Sequence, residues 1–296
     1  MARINRVIEL FEQGQPVYYT GAGELTYEKG KEQAGTWADF LMVDFEHHAF
    51  DIKGLAEFMR GLVDGGPTRS GHRTPVVIST LPSNCKTREE VLANAWQVRH
   101  VLSTGVHGIL HTHARDADAV RAFVAQCRYP FQPAGLGAGL GPGQRGAGGQ
   151  GWPAQIWGVG SQEYVKIADP WPLNPAGELL LGLKIEDREC TAVAEQVARV
   201  PGIAFAEWGP GDMGMSYGYP DAHDPPYPPE MELASKTVKE ACDSAGLAFL
   251  SSWNDHEKNL EENLRFLLDW GVKVIAGGGQ EQAALGRWLT RRQMPA

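Results

Sequence analysis

Glu186 and Asp212 stand at the ends of two apolar runs, LLLGLKIED (Leu179 to Asp187) and GIAFAEWGPGD (Gly202 to Asp212), each with the make-up of a buried strand. If the two runs share a sheet, both carboxylates reach one mouth of it. Carboxylates on rigid strands suit Mg²⁺ or Mn²⁺, hard cations that take few protein oxygens and leave positions open for water and substrate. The same acids would also serve as helix caps, since Asp and Glu are common where a strand passes into a helix. The rest of the chain has to separate these two roles.

The elements that would carry such a site recur along the whole chain. Six more apolar runs read as strands: PVYYTG (16–21), DFLMVDFE (39–46), TPVVIST (74–80), GILHTH (108–113), LAFLSSW (247–253) and VKVIAGGG (272–279), which makes eight in all. Helix signals fall between them. Asn5 precedes RVIELFEQ, Thr87 with Glu90 forms a capping-box pattern before VLANAWQVRHVL, Asp116 precedes ADAVRAFVAQC, and Asp255 precedes HEKNLEENLRFLLDWG with Gly271 as its stop. Strands joined by helices imply a parallel sheet. Eight such units in 296 residues predict a closed (β/α)8 TIM barrel occupying the chain as one domain, because such barrels take about 250 residues. No G-x-G-x-x-G follows the first run, which argues against an open dinucleotide-binding sheet.

In a barrel the chemistry lies at the C-terminal ends of the strands. The residues predicted there are Thr20, Gly21 and Gly23; Asp44, Glu46, His47 and His48; Ser79 and Thr80; His111, Thr112 and His113; Lys184 and Glu186; Asp212; Ser251, Ser252 and Trp253; and glycines 277 to 279. Titratable groups gather at this one rim while apolar residues fill the other ends, and that polarity favours a catalytic reading over a capping one. The net charge of −9 argues against a nucleic-acid partner. There is no apolar run approaching ~18 residues and no basic leader, so the expectation is a cytoplasmic chain with no membrane partner. Cys85, Cys127, Cys190 and Cys242 form no C-x-x-C pair and read as reduced thiols, with zinc disfavoured.

Four blocks resemble the HpcH/HpaI-type class II pyruvate aldolases, relatives of citrate lyase β-subunits and macrophomate synthase: DFLMVDFEHHAFD (39–51), the R-Y-P of QCRYP (126–130), LGLKIEDRE (182–189) and GPGDMGMSYGYP (209–220). The last is the most specific, and the likeness runs from Asn5 to about Gly279. The resemblance implies a divalent cation (Mg²⁺, Mn²⁺ or Co²⁺) on Glu186 and Asp212, His47 as general base, and a 2-oxo acid whose enolate meets the metal. It further implies an aldehyde product and a homo-oligomer, a hexamer built as a trimer of dimers. Backbone amides near Gly211 and Asp212 would meet the substrate carboxylate, as a helix N-terminus can. An imidazole's ordinary pKa lies near neutrality, and Asp44 or Glu46 would fix the tautomer of His47.

The chain also departs from that pattern. Ile78 stands where these aldolases carry an arginine after P-V-V, Lys184 where they carry glutamine, and His111-Thr112-His113 where they carry V-P-M. One cation lost and another gained beside two imidazoles reads as a rebuilt electrostatic site, with His111 and His113 as substrate contacts and Lys184 either replacing the arginine or balancing the two acids. The glycine-rich stretch 133–160, part of an insertion at about 131–160, is expected to lack regular structure and to lie on the catalytic face. There Arg145, Trp152 and Trp157 would close over a bulky or aromatic substrate, with Trp253 nearby, in keeping with catabolism of aromatic compounds. A proline-rich loop at 221–230 reads as a surface segment. The expected activity is a metal-dependent carbon–carbon lyase. A citrate-lyase-like thioester lyase or hydrolase, and a barrel that keeps the metal only for binding, are the alternatives.

Overall fold

The computed structural model describes residues 3–295. Among the described residues nine strands are present: β1 (Val17–Gly21), β2 (Phe40–Val43), β3 (Val76–Ser79), β4 (Gly108–His111), β5 (Pro170–Trp171), β6 (Leu179–Lys184), β7 (Phe205–Glu207), β8 (Ala248–Ser251) and β9 (Val274–Ile275). All pair in parallel, in the order β4-β3-β2-β1-β9-β8-β7-β6-β5. Pairing of β4 with β6 closes eight of them into a ring, the (β/α)8 barrel the sequence predicts. All eight apolar runs become barrel strands. The two-residue β5 is an addition outside the ring, on the first residues of β6.

The period of two along each strand divides the apolar residues between two cores. Phe40, Val76, Ile78, Leu110, Leu180, Phe205, Leu250 and Val274 fill the barrel. Leu41, Val77, Ile109, Leu181, Leu183 and Phe249 face out and pack under the helices. Gly182 faces Phe205 across the β6–β7 pairing, and a Cβ on it would overlap the Phe205 ring, so the glycine makes room for a large side chain at mid-barrel.

Several local expectations need correction. Thr87 caps Arg88–Ala93 through the Glu90 amide, but the Glu90 carboxylate accepts from the amide of Asn84 instead of completing a box. The helix expected after Asp255 begins at Leu260 instead, because Asn259 and Glu262 satisfy each other's backbone amides in a full capping box while Asp255 pairs with Lys258. The glycine-rich stretch is not structureless, since it holds a 3-10 turn at Leu136–Ala138 and a helix at Gly151–Trp157. Nor do its Trp157 and Arg145 cover the strand ends. The Trp157 indole donates to the carbonyl of Gly105 at 2.8 Å and stacks on His107, both on the N-terminal side of β4. Arg145 lies over Tyr129 and donates to the Tyr164 hydroxyl at 3.1 Å, buried within the same layer. Among the described residues no helix is long and apolar enough to cross a membrane.

Gly182→Ala tests the barrel filling. The added methyl forces the Phe205 ring aside, and the variant should lose about 1–3 kcal/mol in urea unfolding, with no loss expected for Ala at the open position Gly137.

Candidate active site

The inward row of each strand delivers the polar rim. On β6 the series Leu180, Gly182, Lys184 continues to Glu186, two residues beyond the strand end. On β2 the series Phe40, Met42 continues to Asp44. Glu186 is 1% exposed and its Oε1 has no hydrogen bond, although Lys184 Nζ is 3.1 Å away. Gly209 admits this carboxylate, for a Cβ there would lie 2.6 Å from Glu186 Oε2. Glu186 caps no helix. Asp187 does, accepting from the Cys190 amide.

Asp212 is placed differently from the sequence-based expectation. β7 stops at Glu207, and Pro210, pre-set for a first helical turn, starts the helix Pro210–Tyr217 in which Asp212 occupies the first turn. The first amide to bond back is that of Met213, to Gly209, so the amides of Gly211 and Asp212 point out of the helix start. Donor atoms of Glu46, His113, Glu186 and Asp212 all lie within 4.8 Å of one another.

Two imidazoles stand here, His113 within this group and His47 beside it, each held by a carboxylate. Asp44 Oδ1 accepts from the amides of Glu46 and His47 and from Thr80, while its Oδ2 is 3.0 Å from His47 Nδ1. His47 Nε2 then lies 3.9 Å from Asp212 Oδ2. On the other side Asp187 Oδ2 is 2.8 Å from His113 Nδ1, and His113 Nε2 is 3.7 Å from Glu46 Oε1. Glu46 is not the tautomer-setting partner of His47; its Oε2 accepts from Lys184 Nζ at 2.6 Å.

Burial pushes Glu186 well above the usual carboxylate range; Lys184 opposes the shift, and the like-charged neighbours Glu207, Glu46 and Asp212 add to it. Glu207 is raised for the same reasons. Burial would discharge Lys184, but Glu207, Glu186 and Glu46 hold its pKa above the ordinary lysine value. Burial also opposes the charges of Asp44 and Asp187. Hydrogen bonds from His47 and Glu46 to the first, and from His113, Cys190 and Arg115 to the second, nevertheless hold both below the usual range. Six carboxylates (Asp44, Glu46, Glu186, Asp187, Glu207, Asp212) therefore share the rim with two permanent cations, Lys184 and Arg115.

The structure gathers His47, Asp44, Glu46, Lys184, Glu186, Asp212, Gly211 and His113. It does not gather the other three. His111 lies outward with Ile109, its ring 4.7 Å from Phe123, its Nδ1 accepting from the Thr112 amide and its pKa pushed down to about 3 by burial. Arg145 is in the layer by Tyr129. Trp253 packs between Tyr227 and Phe266. Two members of the rim, Glu207 and Asp187, are absent from the sequence-based expectation. Glu207 was legible, since Phe205 faces in and Glu207 is two residues on, in register with Lys184. Asp187 carries no such signal: in sequence it is only the neighbour of Glu186, and in the fold it is the partner of His113.

No family model matches the chain. It is 24% identical over 211 residues to a hydroxypyruvate/pyruvate aldolase of Paraburkholderia phytofirmans, spanning 71% of this chain and 68% of that one. It is 28% identical over 141 residues to a hydroxypyruvate/pyruvate aldolase of Sagittula stellata, across 48% and 47% of the two chains. An HpcH/HpaI aldolase/citrate lyase family protein from Burkholderia cenocepacia shares the fold at a TM-score of 0.71 and 19% identity, over 98% of both chains. In sequence the chain is similar to hydroxypyruvate/pyruvate aldolases, and in fold to an HpcH/HpaI aldolase/citrate lyase family protein. Against that background Ile78 is part of the apolar barrel filling beside Val76 and Leu110, and the cation of the site comes from β6 as Lys184.

Glu186 and Glu207 bind protons more tightly folded than unfolded. The stability from that binding is fully present below the ordinary glutamate pKa of about 4.3 and is lost as pH rises through the raised folded values. In EDTA, Glu186→Gln should therefore melt higher than the parent at pH 8, with the gap closing below about pH 4. Thermal melts across that range check it, and added Mn²⁺ should stabilise the parent alone.

Proposed function

We propose that this chain is a metal-dependent carbon–carbon lyase of the aldolase type, acting on a 2-oxo acid and releasing an aldehyde. The observation that carries the reading is the buried, hydrogen-bond-free Glu186 Oε1 in a cluster of acids whose charge Lys184 does not balance. A group in that state needs a cation, and Glu186 and Asp212 are placed to hold one with Glu46 in reach. A divalent ion there would supply Lewis acidity towards charge that develops beside a carbonyl.

The chain's own residues do the rest. Asp44 fixes the proton of His47 on Nδ1, which leaves Nε2 to accept the proton of the substrate hydroxyl as the carbon–carbon bond breaks. The amides of Gly211 and Asp212, free at the helix start, orient the substrate carboxylate. Lys184, paired with Glu46 and Glu186, holds down the charge of the rim. Arg145 and Trp157, packed by the N-terminal side of β4, lend no support to an aromatic substrate. Four unpaired cysteines suit a reducing, cytoplasmic setting.

Pyruvate deuterated at C3 should lose label only when protein and Mn²⁺ are both present. Label retained with Mn²⁺ demonstrably bound would sink the aldolase reading. His47→Ala should slow aldol cleavage by roughly 10²- to 10⁴-fold, the usual loss for a general base, with Mn²⁺ affinity nearly unchanged by calorimetry.

A further inference from the structure

We propose that His113 is a nitrogen ligand of the metal centre. The inference rests on the reading above that Glu186 and Asp212 hold a divalent cation, and it adds a donor of a different chemical kind to them.

Three features of His113 point this way. Its ring is oriented from outside: Asp187 Oδ2 takes Nδ1 at 2.8 Å and is itself fixed by Arg115 at 3.0 Å, while the other carboxylate oxygen accepts from the Cys190 amide at 2.7 Å. That arrangement puts the proton on Nδ1 and the lone pair on Nε2, the carboxylate–imidazole pairing found behind metal-ligating histidines. Secondly, Nε2 faces the acids, with all four donor atoms of Glu46, His113, Glu186 and Asp212 within 4.8 Å of one another. Glu46 gives one oxygen to Lys184 and leaves the other 3.7 Å from His113 Nε2. Thirdly, the backbone of His113 has φ of +51°. An extended continuation of β4 would send residue 113 outward in the row of Ile109 and His111. The left-handed turn swings it to the rim at a cost in strain, and such strain persists where the surroundings enforce it.

The buried Oε1 of Glu186, which accepts no hydrogen bond, is an observation independent of His113 and lies in the same group. Carboxylates alone suit Mg²⁺, whereas an imidazole among them favours later first-row ions. His47, the other imidazole, is half exposed and anchored on Asp44, and stays free for proton transfer.

The test uses the full chain loaded with Mn²⁺ and no substrate. Pulsed EPR should show the ¹⁴N coupling of a coordinated imidazole in the parent and in His47→Ala, and none in His113→Asn, a residue that tolerates the left-handed backbone. Asp187→Asn keeps the helix cap and the ring but loosens its orientation. It should weaken Co²⁺ binding by roughly 10- to 100-fold while Mg²⁺ binding stays nearly unchanged. Bound Mn²⁺ without nitrogen coupling in the parent, or coupling that survives His113→Asn or vanishes in His47→Ala, overturns the assignment and leaves the carboxylate site standing. Failure of the parent to bind Mn²⁺ at all overturns both.

Discussion

Unbalanced negative charge at one end of the barrel is the constraint on which the remaining arrangement depends. Glu186 is buried among Glu46, Glu207 and Asp212, with Lys184 as its near cation. Carboxylates are seldom buried unless paired, because desolvation costs several kcal/mol for an unpaired charge. Here Lys184 is shared among Glu46, Glu186 and Glu207. The rim thus holds protons tightly and has a standing demand for a cation. A metal centre would meet that demand, and the two His–Asp pairs stand close enough to act on whatever it binds.

Barrel closure is what brings these groups together. Asp44, Glu46, His113, Glu186 and Asp212 come from segments after four different strands, and those segments would not meet in an open chain. Closure through the β4–β6 pairing places the loop bearing His113 beside the end of β6, so that Asp187 reaches His113. The apolar filling below, with Phe205 set into the space left by Gly182, gives the rim a rigid base.

The departures from the aldolase pattern acquire a physical sense from the same charge. Ile78 belongs to the apolar filling and offers no charge, while Lys184 projects from the opposite side of the β4–β6 seam into the acids. Surrounded by three glutamates, Lys184 remains charged and offsets part of the rim's negative charge, which disfavours a Schiff-base role needing a neutral amine. Glu207 is the complementary feature, an acid in register with that lysine.

By itself the sequence determined the barrel and most of the rim. Apolar runs of strand length separated by capped helices admit few other folds, and the period of two already sends Asp44, Lys184, Glu186 and Glu207 to the interior side. The same alternation, followed from Leu110, turns His111 outward, so its distance from the site was legible in the sequence too. Tertiary structure alone decided which partner each charge takes. That Asp187 rather than Glu186 caps the helix, that Glu46 serves Lys184 while Asp44 serves His47, and that Arg145 and Trp157 pack on the N-terminal side of β4 all depend on loop geometry. Loops follow no period, and a one-residue change in backbone sign, as at His113, redirects a side chain from the helices to the site.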